Sequence, residues 1–497
     1  MALAALFGIG SGCRAPCNLD MDQPLCVTRF QASDMLIYRV EPEDERRRGG
    51  AQLVTRARGD LLLGADWVFA TRGEQLVVGF PDAGAVGVLP SFRREESCLP
   101  SARRTLSFVP DITVQRQPRL IVQANGCPTN NQVMFTGPAD FGRSLLSWYD
   151  SGSARWDLWV AAPSEGLYRG TVYGFLGSSG RPGALRNHDA ADVVISGISP
   201  GDRLGMVLER CPSPTGEGSD LIAVGIPGWA PVGDEGAQFG AVALFRADTS
   251  VGRDLTPADA ITFLEGSQPG DRAGLAIACG LDIDGDGLPE VVVGAPGHDR
   301  DQPQGGAVYV LSGPLPANGT LADAAAWTLV GREPYEELGR SISVDDFDED
   351  GLDDLVVGAP GAGPPTDPTA GAVHVFLGTD LITGAATRTT FRGQPSGSPP
   401  ASGRLGTQVF TGDITGDGTV SIVTGAWRLS QDARVHAGEI RMWPFSTDRI
   451  GDVVGADEAV ALRGEGSHQQ VGRRMVLADI TGDGRLEVVS AIRRRTR

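Results

Sequence analysis

Residues 281–297 read LDIDGDGLPEVVVGAPG, and residues 345–361 read DDFDEDGLDDLVVGAPG. Each opens on a turn crowded with carboxylates, runs into a short apolar strand and closes on Gly-Ala-Pro. Looser copies stand at 412–426, GDITGDGTVSIVTGA, and at 478–491, ADITGDGRLEVVSA. Downstream come GGAVYVL (305–311), GAVHVF (371–376) and GEIRMW (438–443), with the period-two alternation of half-buried strands. Upstream of each acidic turn, an apolar or small residue precedes a glycine: Ala273-Gly274, Leu338-Gly339, Leu405-Gly406 and Val471-Gly472. Those glycines are spaced 65, 67 and 66 residues apart.

The same frame continues toward the N-terminus with weaker turns. Phe141-Gly142 leads to DLWVAAP (157–163) and GTVYGF (170–175). Leu204-Gly205 leads to DLIAVGIP (220–227) and GAVALF (240–245). Leu63-Gly64 leads to QLVVGFP (75–81) and GAVGVL (84–89). A repeat of this length holds about four short strands, one antiparallel blade, and a lone blade cannot bury both faces. The expected fold is therefore all-β: a seven-bladed β-propeller of four-stranded antiparallel blades, starting near 64, 142, 205, 274, 339, 406 and 472. The last unit holds only two strands before Arg497. DMLIYRV (34–40) and AQLVT (51–55) match the missing pair, so N-terminal strands are expected to complete the last blade and close the ring. Residues 1–30 read as a leader and linker, and 31–497 as a single propeller. The stretch 91–131 fits least. It reads as an insertion in the first blade, with a degenerate eighth blade as the alternative.

These residues resemble the FG-GAP repeat, found in the propeller of integrin α subunits and in many bacterial surface proteins. Phe141-Gly142, Gly294-Ala295-Pro296 and Gly358-Ala359-Pro360 carry the resemblance, which is strong over 270–497, moderate over 140–270 and weak before that. It implies a seven-bladed propeller with calcium on one rim. No integrin-like leg or cytoplasmic tail is expected within these 497 residues.

The acidic turns have a chemistry of their own. Ca2+ takes six to eight oxygen ligands, and a tight loop supplies them from carboxylates at alternate positions. Positions one, three, five and nine of the first loop are Asp282, Asp284, Asp286 and Glu290. Gly287 stands at six, and the Leu288 carbonyl offers a further oxygen at seven. The second loop repeats this with Asp346, Asp348, Asp350, Asp354, Gly351 and Leu352. Four clustered carboxylates repel one another without a cation, which a plain Asp/Gly hairpin does not explain. The loop at 479 offers Asp479, Thr481, Asp483 and Glu487, one oxygen of which is neutral. The loop at 413 offers Asp413, Thr415 and Asp417, but Ser421 replaces the ninth-position acid. An EF-hand would need Glu at position twelve, where Val293, Val357, Thr424 and Ser490 stand instead. The turns near 150–157 and 209–220 have lost the pattern, and no metal is expected there.

A formal net charge of −19 argues against nucleic acid and against an anionic membrane surface. No segment approaches the roughly 20 apolar residues that span a bilayer. The apolar run 2–9 followed by Gly-Ser-Gly-Cys13 resembles the end of a lipoprotein signal. It would make Cys13 a lipidation site, although no basic residue precedes the run; another export signal is the alternative. Six cysteines then remain. Cys17 with Cys26, Cys98 with Cys127 and Cys211 with Cys279 is one of about fifteen possible pairings. The five histidines lack metal-ligand spacing, and there is no Gly-x-Ser-x-Gly elbow or Gly-rich phosphate loop. The expectation is a calcium-stabilised, extracytoplasmic module that is not an enzyme and binds a protein or glycan at the cell surface. A structural envelope protein, and an enzyme with a site in the central channel, are the alternatives.

Overall fold

The computed structural model describes strands at 29–31, 34–39, 52–56, 68–72, 75–80, 85–88, 105–110 and 118–123. It then describes 133–492 except for 151–154, 178–184, 213–219, 248–253, 364–366, 368, 386, 394–402, 415, 417, 431–433, 446–452, 455–459, 465 and 480–485. Its elements are strands joined by tight turns, with a few helical turns such as Gly378–Thr383.

The acidic turns sit inside four-stranded antiparallel meanders. One sheet runs Ala276–Leu281, Glu290–Ala295, Ala307–Leu311, Trp327–Val330. The next runs Ser341–Asp345, Asp354–Ala359, Ala372–Phe376, Thr389–Arg392. Their runs of Val and Ala favour the pleated, packed backbone of a strand. In the first of these, Val292 lies opposite Ala278 on one side and Val310 on the other. The same order recurs from Ser144–Asp150, Leu208–Cys211, Val409–Gly412 and Val68–Arg72. Along the chain, the hairpin of Thr105–Pro110 and Pro118–Gln123 falls between the third and fourth strands of that last sheet, and it forms a separate sheet with Arg29–Gln31. A further sheet is built from both ends of the chain. Asp34–Arg39 pairs with Glu487–Ile492 and is flanked by Gln52–Arg56, while Met475–Ala478 lies on the other side.

The middle strands are buried on both faces, not on one as the alternation implied. Ala307, Tyr309 and Leu311 pack with Val291 and Val293 against Leu221, Val242 and Leu244 of the preceding sheet. Val308 and Val310 pack with Val292 against Leu355, Val357 and Ala372 of the following one. Polar-looking alternation fails here because a second sheet covers each face. A fully buried valine or leucine contributes about 2 kcal/mol, so each sheet is fixed by both neighbours.

Two contacts set the spacing of the sheets. The glycine of each Gly-Ala-Pro abuts the glycine that opens the following sheet. A Cβ on Gly294 would lie 2.1 Å from the Gly339 carbonyl oxygen, and one on Gly358 would lie 2.1 Å from that of Gly406. The glycine before each third strand bridges the residue ahead of the same opening glycine: Gly306 to Leu338, and Gly371 to Leu405. The outer edge also carries a feature invisible in the repeat. A short strand from the following unit adds in parallel to the outermost strand, as Asn318–Thr320 does on Thr262–Glu265. This covers an edge that would otherwise expose unpaired backbone.

Candidate metal centre

Each acidic turn joins the first strand of a sheet to the second. In the loop at 282, the turn is knitted by its own carboxylates. Asp282 Oδ2 accepts from Gly287 N (3.1 Å), Asp284 Oδ1 from Asp286 N (3.1 Å) and Asp286 Oδ1 from Leu288 N (2.7 Å). The loop at 346 repeats this, with Asp346 Oδ2 accepting from Gly351 N (3.0 Å) and Asp350 Oδ1 from Leu352 N (2.9 Å). Positions four and six are both left-handed: Gly285 and Gly287 (φ 76° and 79°) in the first loop, Glu349 and Gly351 (φ 59° and 88°) in the second. Sequence reasoning placed a turn-forming glycine only at six.

The ninth-position acid arrives from the following strand and closes the site from below. Glu290 is fully buried, and its Oε2 accepts from Ile283 N at 2.6 Å. Asp354 is equally buried, accepting from Phe347 N (2.9 Å) and Gly378 N (2.8 Å). Oxygens of Asp282, Asp284 and Glu290 lie within 4.8 Å of one another, as do those of Asp346, Asp348 and Asp354. Asp286 and Asp350 stay outside these groups. They are exposed at the loop tips and occupied by the amides of Leu288 and Leu352.

Three oxygens inside the groups have no hydrogen-bond partner although they are buried: Asp282 Oδ1, Glu290 Oε1 and Asp348 Oδ1. A buried, unpaired carboxylate oxygen is costly. The electrostatics agree. Burial first, then the charges of Asp284, Asp286 and Asp282, push Glu290 up to about 7, with only the Ile283 amide opposing. Burial and the charges of Asp348 and Asp350 likewise raise Asp354 to about 7, against the amides of Gly378 and Phe347. A hard cation would satisfy the orphaned oxygens and cancel the repulsion, so the residues present fit one.

The other two loops are described in part. Asp413 accepts from Gly416 N (2.6 Å) and Gly418 N (2.8 Å), as in the complete loops, but Ser421 is buried where the ninth acid would stand. Glu487 is fully buried at the ninth position of the last loop, with Asp479 half-buried at the first. Thr415, Asp417, Thr481 and Asp483 lie outside the described residues, as do Cys13, Cys17, Cys26, Cys98 and Cys127. Cys211 and Cys279 are joined as a disulfide between the first strands of adjacent sheets, with Cα atoms 4.9 Å apart. Near the turns expected to lack metal, Arg210 pairs with Asp220, and Asp157 accepts from Gly177 N at 2.6 Å.

Sequence reasoning missed several contributors. Ser312, just past the third strand, donates to Asp284 Oδ2 (3.1 Å). Asp353 ties the two complete loops together: its carboxylate accepts from Asp282 N (2.8 Å) and its amide donates to the Asp282 carbonyl (3.1 Å). At the opposite end, Asp202, Asp271 and Glu336 are buried and cap the turn that precedes a first strand. Each stands three residues before an opening glycine, a regularity that was there to be found. His298 Nδ1 lies 3.1 Å from Asp271 Oδ1. His374 Nε2 lies 2.9 Å from Glu336 Oε1 without the alignment of a hydrogen bond, and burial pushes its imidazole below its usual value. Burial would raise Glu336, but His374 and Arg388 outweigh it and hold the carboxyl at about 2. Both histidines serve these caps.

The FG-GAP repeat profile matches residues 273–311 and 338–376, the two units with complete acidic loops. The chain carries FG-GAP repeats. Bovine phosphatidylinositol-glycan-specific phospholipase D is 31% identical over 172 residues, covering 32% of this chain and 19% of the relative. Human integrin alpha-X is 33% identical over 167 residues, covering 32% of this chain and 13% of the relative. The chain thus spans under a fifth of the length of the curated relatives it matches. Among solved structures, the Dos1 propeller aligns over 84% of this chain and 74% of its own, at 10% identity and a TM-score of 0.38. In the FG-GAP units the two named elements meet across sheets. The Gly of Gly294-Ala295-Pro296 rests on Gly339, which opens the next unit, so one repeat is completed only by its neighbour.

Proposed function

We propose that this chain is an extracytoplasmic, calcium-stabilised β-propeller of seven blades that acts as a binding module for a protein or glycan, without catalysis of its own. The observation that carries the reading is the set of buried, unpartnered carboxylate oxygens in the FG-GAP loops at 282 and 346. Asp282, Asp284 and Glu290 would hold one calcium, and Asp346, Asp348 and Asp354 another. The loops at 413 and 479 would hold weaker ones. Calcium suits loops that gather several carboxylates on flexible turns; magnesium requires a tighter octahedral cage and retains waters. The bound ion would supply charge neutralisation and fix the strands that leave each loop. Binding only the folded state, it would stabilise that state by mass action.

Ring closure is supported by the first strands. Each touches the next in order from Val68–Arg72 to Met475–Ala478, and the last touches the first again. Extracytoplasmic placement is supported by the Cys211–Cys279 disulfide, because such bonds persist in oxidising compartments, and by a calcium requirement that such compartments meet. No helix among the described residues is long and apolar enough to cross a membrane, and any lipid anchor at Cys13 belongs to this proposal. The binding role is supported by the end of the sheets away from the acidic loops. Leu167, Tyr168, Ile198, Val232, Tyr335 and Val435 are all exposed in its connections. Among the described residues, six of the eight exposed large apolar side chains lie on this end, with Ile261 and Ile382 on the other, and that bias favours a docking module over an inert envelope component.

The test is a thermal melt with calcium and with chelator, alongside metal counting by mass spectrometry. The expected result is about two to four calcium ions per chain and a loss of several degrees in Tm on chelation. A chain that retains no metal and melts identically in both conditions would remove the proposal. A pull-down on surface material with and without chelator then separates a binding module from a purely structural one.

A further inference from the structure

The complete loops at 282 and 346 touch through two routes, and both run between residues that would hold an ion. The first route is polar. Asp353 stands at position eight of the second loop, between Leu352 and the ninth acid, Asp354. Its Oδ2 accepts from Asp282 N at 2.8 Å, and its own amide donates to the Asp282 carbonyl at 3.1 Å. Asp282 is position one of the first loop, so both polar groups of its backbone are gripped by the neighbouring loop. The second route joins the two ninth acids. Glu290 Oε2 accepts from Ile283 N at 2.6 Å. The Ile283 carbonyl rests against Gly378, where a Cβ would stand 3.2 Å from its oxygen, and Gly378 N donates to Asp354 Oδ1 at 2.8 Å. That same Cβ would lie 2.7 Å from the Asp353 carbonyl oxygen, so a glycine is needed where the two routes run side by side. Leu352 closes the contact: a Cβ on Gly285 of the first loop would lie 3.0 Å from Leu352 Cδ2. In the other loops position eight is Pro289, Val420 or Leu486, and none of these side chains can accept from a backbone amide. The two-sided grip of Asp353 is therefore particular to this pair of loops.

We propose that Asp353 couples the two metal loops, so that calcium held at either one raises the affinity of the other about tenfold. The inference rests on the calcium reading of these loops and concerns how their loading is regulated. Within each group the carboxylates repel, and Asp282 Oδ1, Glu290 Oε1 and Asp348 Oδ1 are buried without partners, so a cation is what draws each loop into one arrangement. Fixing residues 352–354 in the second loop also fixes the backbone of Asp282 and Ile283, because Asp353 and Gly378 bear on them. Part of the ordering cost of the first loop is then met before its own ion arrives, and linkage makes the effect equal in the opposite direction. Two divalent ions repel across the contact, which opposes the coupling. The half-buried Asp353 carboxylate lies outside both groups of oxygens and against the neighbouring loop, where its negative charge weakens that repulsion.

The test is a calcium titration of the whole chain against a competing chelator, on the native protein and on Asp284→Asn and Asp348→Asn, each of which removes a ligand from one loop. The native constant for loading both loops, divided by the product of the two single-loop constants, is the coupling factor, expected to be about ten. In an Asp353→Ala background the same quotient should fall to about one. Asp353→Asn keeps an oxygen that can accept from Asp282 N and should restore most of the coupling. A merely structural Asp353 would change thermal stability or both affinities and leave the quotient as it is in the native chain, and that result overturns the proposal. So does a native quotient of unity, a measurement that decides even if Asp353→Ala fails to fold. The two readings fail separately. A native chain that takes up no calcium removes the calcium reading and the coupling with it, whereas two ions bound with a quotient of unity leave calcium in place and remove the coupling alone.

Discussion

The two ends of each FG-GAP sheet are held by different physics. At the acidic end, Asp282, Asp284 and Glu290 crowd like charges around buried oxygens that lack partners, and the arrangement is complete only with a cation. At the other end, Gly294 lies directly against the Gly339 backbone, and Asp271 and Glu336 cap the turns with every oxygen employed. One end depends on the solution, while the carboxylates of the other are satisfied from within. The comparison teaches that similar acids serve opposite purposes according to whether backbone amides or a cation complete them.

The sharpest way to separate the ends is through their glycines. Gly294→Ala places a methyl 2.1 Å from a backbone oxygen that cannot swing aside. It should destabilise by about 3 kcal/mol in chemical denaturation, equally with and without calcium. A cost that disappears in chelator would mean that the glycine end is not independent of the metal end.

The pH dependence comes next. In chelator, Glu290 and Asp354 are held near 7, above the 4.5 and 3.8 of their free forms. Their protonated state therefore stabilises the fold below the free value, and that contribution is lost as pH rises through about 7. Chelated protein should be about 2 kcal/mol less stable per carboxylate at pH 8 than at pH 5. Calcium should cancel the trend and bind more tightly as pH rises. Glu290→Gln should remove about half of the chelated trend, Asp354 keeping the rest, and should remove one ion from the metal count. A chelated profile as flat as the loaded one would break the contrast.

Smaller effects sharpen the account of the loop itself. Gly287 has open space around its Cα but a φ of 79°, so Gly287→Ala meets backbone strain instead of a clash. Its cost should be about 1 kcal/mol, well below that of Gly294→Ala, measured by the same denaturation. Glu349→Gly relieves a left-handed residue at φ 59° while adding chain entropy. The two terms offset, and a change in stability within about 0.5 kcal/mol is expected.

Much of this was legible because repeats state their rule several times. The acidic turn, the strand from 290 to 295 and the alternating strand from 307 to 311 could be read directly from spacing and periodicity. The four carboxylate positions of each loop could be read as well, but not that only Glu290 and Asp354 among them are buried. What could not be read is whatever depends on the neighbouring sheet. Val308 and Tyr309 look like opposite faces of a half-exposed strand, and both are buried because a different sheet covers each. Asp353 looks like one more loop acid, yet it bridges to Asp282 at a separation of 71 residues. Asp286 and Asp350 have the right spacing for ligands, and their positions at the loop tips keep them out of the grouped oxygens.

By itself the sequence determined the unit: which residues turn, which extend, and which carboxylates are brought together, since these follow from local backbone geometry and side-chain period. Only the tertiary structure decided that the Gly-Ala-Pro of one unit is completed by the opening glycine of the next, and that buried oxygens are left without partners. Those facts arise from sheets pressing on one another, and no single repeat contains the surface against which it packs.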